Sequence, residues 1–160
     1  MNRIVAVIAV VAALAGASGA AAEAPAGAKA PPERIRLVLR HAGGDVYTGA
    51  PATTLDGKLQ AWTWLFAQRS PGDGVDAFAY QDEFDCTAGT YRRLRQENYA
   101  WPKLVNAYPS DTAAHRPLPF ESETQILGVI CDQTVLSGGE WVDSVDAAHA
   151  IAARRLGVGP

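Results

Sequence analysis

Two cysteines, Cys86 and Cys131, stand far apart in a chain that opens on an export pattern, and this combination restricts the fold more than any other feature. The opening segment, MNRIVAVIAVVAALAGASGAAAEA, has a short basic start, an apolar run from Ile4 to about Ala17, and small residues before Glu23. Ala20 and Ala22 occupy the small-residue positions a signal peptidase accepts, so residues 1–22 read as a signal peptide cleaved after Ala22. As a membrane anchor the run is too short, since crossing a bilayer takes roughly 20 apolar residues. Ala17 stands where a lipid-modified export signal needs cysteine, so the expected product has neither a lipid nor a transmembrane anchor. In an oxidising compartment the two thiols have one intramolecular pairing open to them. A Cys86–Cys131 disulfide closing so long a loop contributes roughly 2 to 4 kcal/mol in the chain-entropy account. Two buried thiols or a reactive Cys86 are the alternatives. No histidine lies close to Cys86 in sequence, and two cysteines so separated lack a zinc-site signature.

The remaining length suits one domain with a moderate core. EAPAGAKAPPE, residues 23–33, is rich in alanine, glycine and proline and reads as a flexible leader. The domain is expected over residues 34–157, with a flexible tail at 158–160. The formal net charge is −3, one unit more negative once Arg3 leaves with the signal, and together with export this argues against nucleic-acid binding.

Alternation carries most of the strand signal. In RIRLVLRHA, Ile35, Leu37 and Leu39 alternate with Arg34, Arg36, Val38 and Arg40, as in a strand with one face in the core and a largely basic face outside. GGD permits a turn and VYTGA a short second strand. LDGKLQ signals a hairpin because Gly57 accepts the positive φ of a tight turn. In KLQAWTWLFAQ, Leu59, Ala61, Thr63, Leu65 and Ala67 share one face, and Trp62, Trp64 and Phe66 the other. Both faces can bury apolar area, so this is a central strand, and its aromatic stripe reads as core ahead of a ligand platform. RSPGDGVD interrupts with turn chemistry. From Ala77 to Leu94 the chain reads as two strands or one long bent strand, with TAG as the turn or bulge. Gln96 to Pro119, dense in turn formers, is expected to cross the surface.

FESETQILGVICDQTV places Ile126, Val129 and Ile130 on one helical stripe and brings Cys131 inward. Gly128 weakens that helix by about 1 kcal/mol relative to alanine, which leaves a strand as the alternative. In WVDSVDAAHAIAARRLG, Asp143 or Ser144 caps a last helix, Arg154 and Arg155 complement its C-terminal dipole, and Gly157 stops it. Val145, Ala148, Ala152 and Leu156 form its inner stripe, with Trp141 packing at the entrance. The expected fold is α+β: an antiparallel sheet packed against one or two helices, with one disulfide.

Chemistry is harder to find. Asp82, Glu83 and Asp85 are expected to be solvated or paired with Arg92, Arg93 and Arg95. A glycosidase needs carboxylates flanking a substrate in space, and the spacing and glycine placement of a calcium loop are missing. His41, His115 and His149 show no ligand spacing, Ser122 lacks a nucleophile elbow, and no glycine-rich phosphate loop occurs. No catalytic residue, metal ligand or cofactor is therefore assigned. A hydrolase would need one of the histidines to meet a carboxylate in a concave pocket.

VYTGAPATTLDGKLQAWTW, then DEFDC, a short basic strand-like run and PFESETQILGVIC resemble, in that order, the small exported surface-adhesin protein E and its relatives. The resemblance spans roughly Val46 to Asp132. It implies Trp62 or Trp64 in the central strand, Asp85–Cys86 entering another strand, a late segment ending in Cys131, a Cys86–Cys131 disulfide, and a sheet packed against helix. Adhesin members bind host extracellular proteins and are lipid-anchored to the outer membrane; this chain lacks the lipid-bearing cysteine and adds a C-terminal helix. The expected function is a noncatalytic, envelope-associated domain, periplasmic or secreted from a bacterium, that binds an extracytoplasmic protein. Arg92, Arg93, Arg95, Asp82 and Glu83 are its candidate partner-binding residues. A periplasmic small-molecule carrier and a small hydrolase are the alternatives.

Overall fold

The computed structural model describes residues 34–109, 113–118, 121–132 and 139–158. The expected signal peptide, the leader and the end of the tail fall outside them. In chain order the elements are β1 (Ile35–His41), β2 (Gly44–Gly49), β3 (Ala52–Thr53), β4 (Leu59–Ala67), β5 (Ala77–Asp85), β6 (Thr90–Ala100), β7 (Lys103–Tyr108), α1 (Ser122–Asp132), β8 (Trp141–Val142) and α2 (Val145–Leu156). The strands form one antiparallel sheet in the order β7-β6-β5-β4-β2-β1-β8, and β3 pairs with β4. The fold is α+β.

β4 lies near the middle because both of its faces are apolar, as its alternation predicts. Trp62, Trp64 and Phe66 enter one core with Tyr47, Ala77, Ala79 and two small residues of α2, Ala148 and Ala152. On the other face Ala61, flanked by half-buried Leu59 and Leu65, joins Val46, Phe84 and the α1 residues Ile126 and Ile130. Each face of the sheet therefore carries one helix. The turn before β4 forms as Gly57 allows: its φ is 81°, and the Thr54 and Lys58 backbones close the loop through an N–H to carbonyl bond of 2.8 Å.

β1 departs from simple alternation. Its register against β2 shifts between Leu37 and Leu39, so Leu37 packs with the α2 core while Val38 and Leu39 both reach the α1 core. A bulge inserts one residue and breaks the two-residue period, which a reading by alternation alone does not register. A larger correction concerns Gln96 to Pro119. Instead of crossing the surface, Gln96–Ala100 continues β6 and Lys103–Tyr108 returns as β7, with Trp101–Pro102 at the turn. Pro102 marks a hairpin corner there, and the polar Asn98 and Asn106 face each other across the ladder.

The two helices are secured by different local chemistry. α1 runs through Gly128, where a side chain would meet open space, and buries Ile126, Val129 and Ile130. Its penultimate residue, Cys131, is bonded to Cys86 at a Cα–Cα distance of 5.4 Å and a sequence separation of 45. α2 is capped by the Ser144 side chain, which accepts from the Ala147 N–H at 3.1 Å, and ends at Gly157 in the left-handed region. Arg155 does more than complement the helix dipole: its Nη2 lies 2.6 Å from the fully buried carboxylate of Asp45 on β2. Trp141 does not pack at the α2 entrance. It lies in β8, 43% exposed, with the guanidinium carbons of Arg34 and Arg36 at 5.5 and 5.3 Å from its ring. Among the described residues no helix is long and apolar enough to cross a membrane.

Candidate functional site

The five charged residues singled out from sequence divide between the two faces of the sheet. Asp82 pairs across the ladder with Arg93, and Glu83 with Arg92, so adjacent rungs point in opposite directions. Asp82 and Glu83 are buried, so pairing holds and solvation does not. Arg93 donates to Asp82 from Nε at 3.0 Å and Nη2 at 3.2 Å, a two-pronged bond, and its guanidinium carbon lies 3.9 Å from the centre of the Tyr80 ring. Burial pushes the Asp82 carboxyl above its ordinary range, Arg93 offsets part of this, and Glu123 of α1 adds to the rise. On the opposite face Glu83 accepts from Arg92 at 2.9 Å and from Lys58 at 3.4 Å. Arg95 joins neither acid and pairs with Glu97 on its own strand. The bulge responsible is Leu94, which the ladder skips between the pairs Gln81–Arg95 and Asp82–Arg93. Asp85 accepts from the Ala88 N–H at 2.8 Å and shapes the turn into β6.

Beside Arg93 the sheet has a notch. β7 pairs with β6 only from Gln96 to Ala100, whereas Tyr91, near the start of β6, exchanges backbone hydrogen bonds of 2.8 and 2.7 Å with His115. Between these pairings Tyr91, Arg93, Gln96, Tyr108, Pro109 and His115 line an open cavity of about 290 Å³. Gln96 Nε2 donates to Asn98 Oδ1 at 3.0 Å, and burial pushes the Tyr91 hydroxyl pKa up. Of the charged cluster, Arg93 lines this cavity. Gln96, Tyr108 and Pro109 escape the sequence reading because it treats their segment as a surface crossing. The apolar and polar succession in KLVNAY after Pro102 is the signal that marks a returning strand.

The three histidines have separate surroundings. His41 Nδ1 accepts from the Gly43 N–H at 3.1 Å, and the His115 ring lies 5.8 Å from that of Tyr91. His149 stacks on Trp101 and meets Phe66 edge-on, with Nε2 at 3.5 Å from Asp76 Oδ2. That buried carboxylate also accepts from Arg69 Nη2 at 3.0 Å and from the Trp101 backbone N–H at 2.9 Å. Asp76 thus ties the turn after β4, the β6–β7 corner and α2 together. Among the described residues no group of three or more histidine, cysteine, aspartate or glutamate side chains is arranged to hold a metal ion.

Among the described residues β7 forms one edge of the sheet. Leu104, Val105 and Tyr108 are 44%, 41% and 47% exposed on this six-residue strand, whereas the opposite edge of the sheet is the two-residue β8. No protein-family model matches the chain, and neither the curated proteins nor the solved structures contain a match to it.

Proposed function

We propose that the domain is a noncatalytic, exported, envelope-associated protein that binds an extracytoplasmic protein by pairing a strand of that partner to β7. The observation behind this reading is the apolar edge formed by Leu104, Val105 and Tyr108. An edge strand presents unpaired backbone N–H and carbonyl groups, and soluble proteins usually blunt such edges by shortness, charge, bulges or cover. β8 is short, in keeping with that rule; β7 carries Lys103 and a bulge at Val105, yet still exposes the large apolar side chains of Leu104, Val105 and Tyr108. Strand addition takes its affinity from main-chain hydrogen bonds and its selectivity from alternate side chains. The disulfide suits an oxidising compartment, the periplasm or the exterior, and the likeness to the surface-adhesin E family points to a protein partner as well.

A photo-crosslinking side chain at Val105, with a second version at Arg154 on α2 as control, tests the reading in an envelope extract. Val105 is expected to give a discrete protein adduct that Leu104→Lys removes, while Arg154 gives none. Equal adducts from both positions, or an adduct indifferent to Leu104→Lys, would break the proposal. An adduct with a second copy of this chain would replace it with self-association.

A further inference from the structure

We propose that the notch beside Arg93 binds one ring of a neutral saccharide. The first reason is charge. Arg93 brings a guanidinium to the cavity wall, but both Asp82 oxygens lie against it, so the pair offers N–H donors with no net charge. A free anion would gain little there: at Tyr91 the charges of Glu123, Asp82 and Glu121 oppose one, and Arg93 alone among the named charges acts the other way. The second reason is hydrogen-bonding capacity. Asp82 engages Nε and Nη2 of Arg93 and leaves Nη1; Asn98 engages Nε2 of Gln96 and leaves Oε1. The Tyr91 and Tyr108 hydroxyls each donate and accept. A purely apolar ligand would cover these groups without giving them partners, at a cost for each one. The hydroxyls of a sugar also donate and accept at short intervals, and its C–H faces suit the exposed ring of Tyr108.

Size and rigidity agree with this class. A cavity of about 290 Å³ lies at the small end of ligand pockets, which limits the enclosed part to one ring and leaves its neighbours in solvent. Arg93 is held in place by Asp82 and by the Tyr80 ring beneath it, so little side-chain freedom is lost on binding. The site is separate from strand pairing at β7, although Tyr108 borders both.

The test uses the purified chain with methyl glucoside, N-acetylglucosamine and its short oligomers, followed by saturation-transfer and amide-shift NMR. Sodium acetate and a proline-rich peptide serve as competitors of different chemistry. Saccharide binding is expected to shift the amides of Tyr91, Arg93, Gln96, Tyr108 and His115. Gln96→Leu and Tyr108→Ala, both remote from the two cores, are each expected to weaken it about five- to tenfold with an unchanged Tm. Val105→Lys, which disables the β7 edge, is expected to leave saccharide binding intact. The proposal is overturned if no saccharide moves these amides, if acetate or the peptide moves them instead, or if both pocket variants bind as the parent does.

Discussion

Under α2 the sheet offers Tyr47, Trp62, Trp64 and Phe66, whereas under α1 it offers Val46, Ala61 and Phe84. The aromatic face needs no covalent help: α2 presents small Ala148 and Ala152 to large rings and is held by a side-chain cap and by Arg155 on Asp45. The thinner face buries fewer large side chains, and there the Cys86–Cys131 bond ties α1 to the β5–β6 turn. Two helices on one sheet thus reach their places by different means, one by packed volume and one by a restricted unfolded state.

Trp64→Ala gives the harshest test of that contrast. Removing a ring packed against Phe66, Tyr99 and Trp101 is expected to cost about 3 to 5 kcal/mol in urea unfolding and to loosen α2 in hydrogen exchange. A loss below 1 kcal/mol would show that the aromatic face is not the main support. Replacing both cysteines by serine is expected to cost roughly 2 to 4 kcal/mol and to speed amide exchange in α1 while leaving α2 protected. Equal loosening of both helices would erase the distinction. The smallest effect concerns pH. The folded pKa of Asp82 lies above its ordinary value of 3.8, so between the two the folded chain holds more protons than the unfolded one. Its contribution therefore falls as pH rises through that window. Asp82→Asn is expected to flatten this slope in the urea midpoint from about pH 4 upward, and a parental slope in the variant would assign it to another group.

The features legible in the sequence are those written in local chemistry. Ser144, Gly157 and Gly57 fix their caps and turn whatever surrounds them, and the β4 alternation declares two buried faces. What escaped depends on pairing between distant segments. The bulges at Val38, Leu94 and Val105 change which face a side chain occupies, and none of these residue types announces one. The β6–β7 hairpin hid behind Pro102 and asparagines that read as loop, and the notch at its end hid with it. Trp141 went to the wrong place for the same reason: its surroundings are set by pairing with β1 rather than by the helix that follows it.

The rungs Asp82–Arg93 and Glu83–Arg92 also bear on how the chain refolds. Sliding β6 by one residue in one direction sets Glu83 against Tyr91; sliding it the other way sets Asp82 against Leu94. Either misalignment leaves a carboxylate without its arginine, which is strongly unfavourable once the site is buried. Cys86 begins the turn of this same hairpin, so the alignment of the strands decides where its thiol is presented to Cys131. Electrostatic proofreading of the hairpin would then precede oxidation, and the covalent bond would be sealed on chains whose strands are already in step.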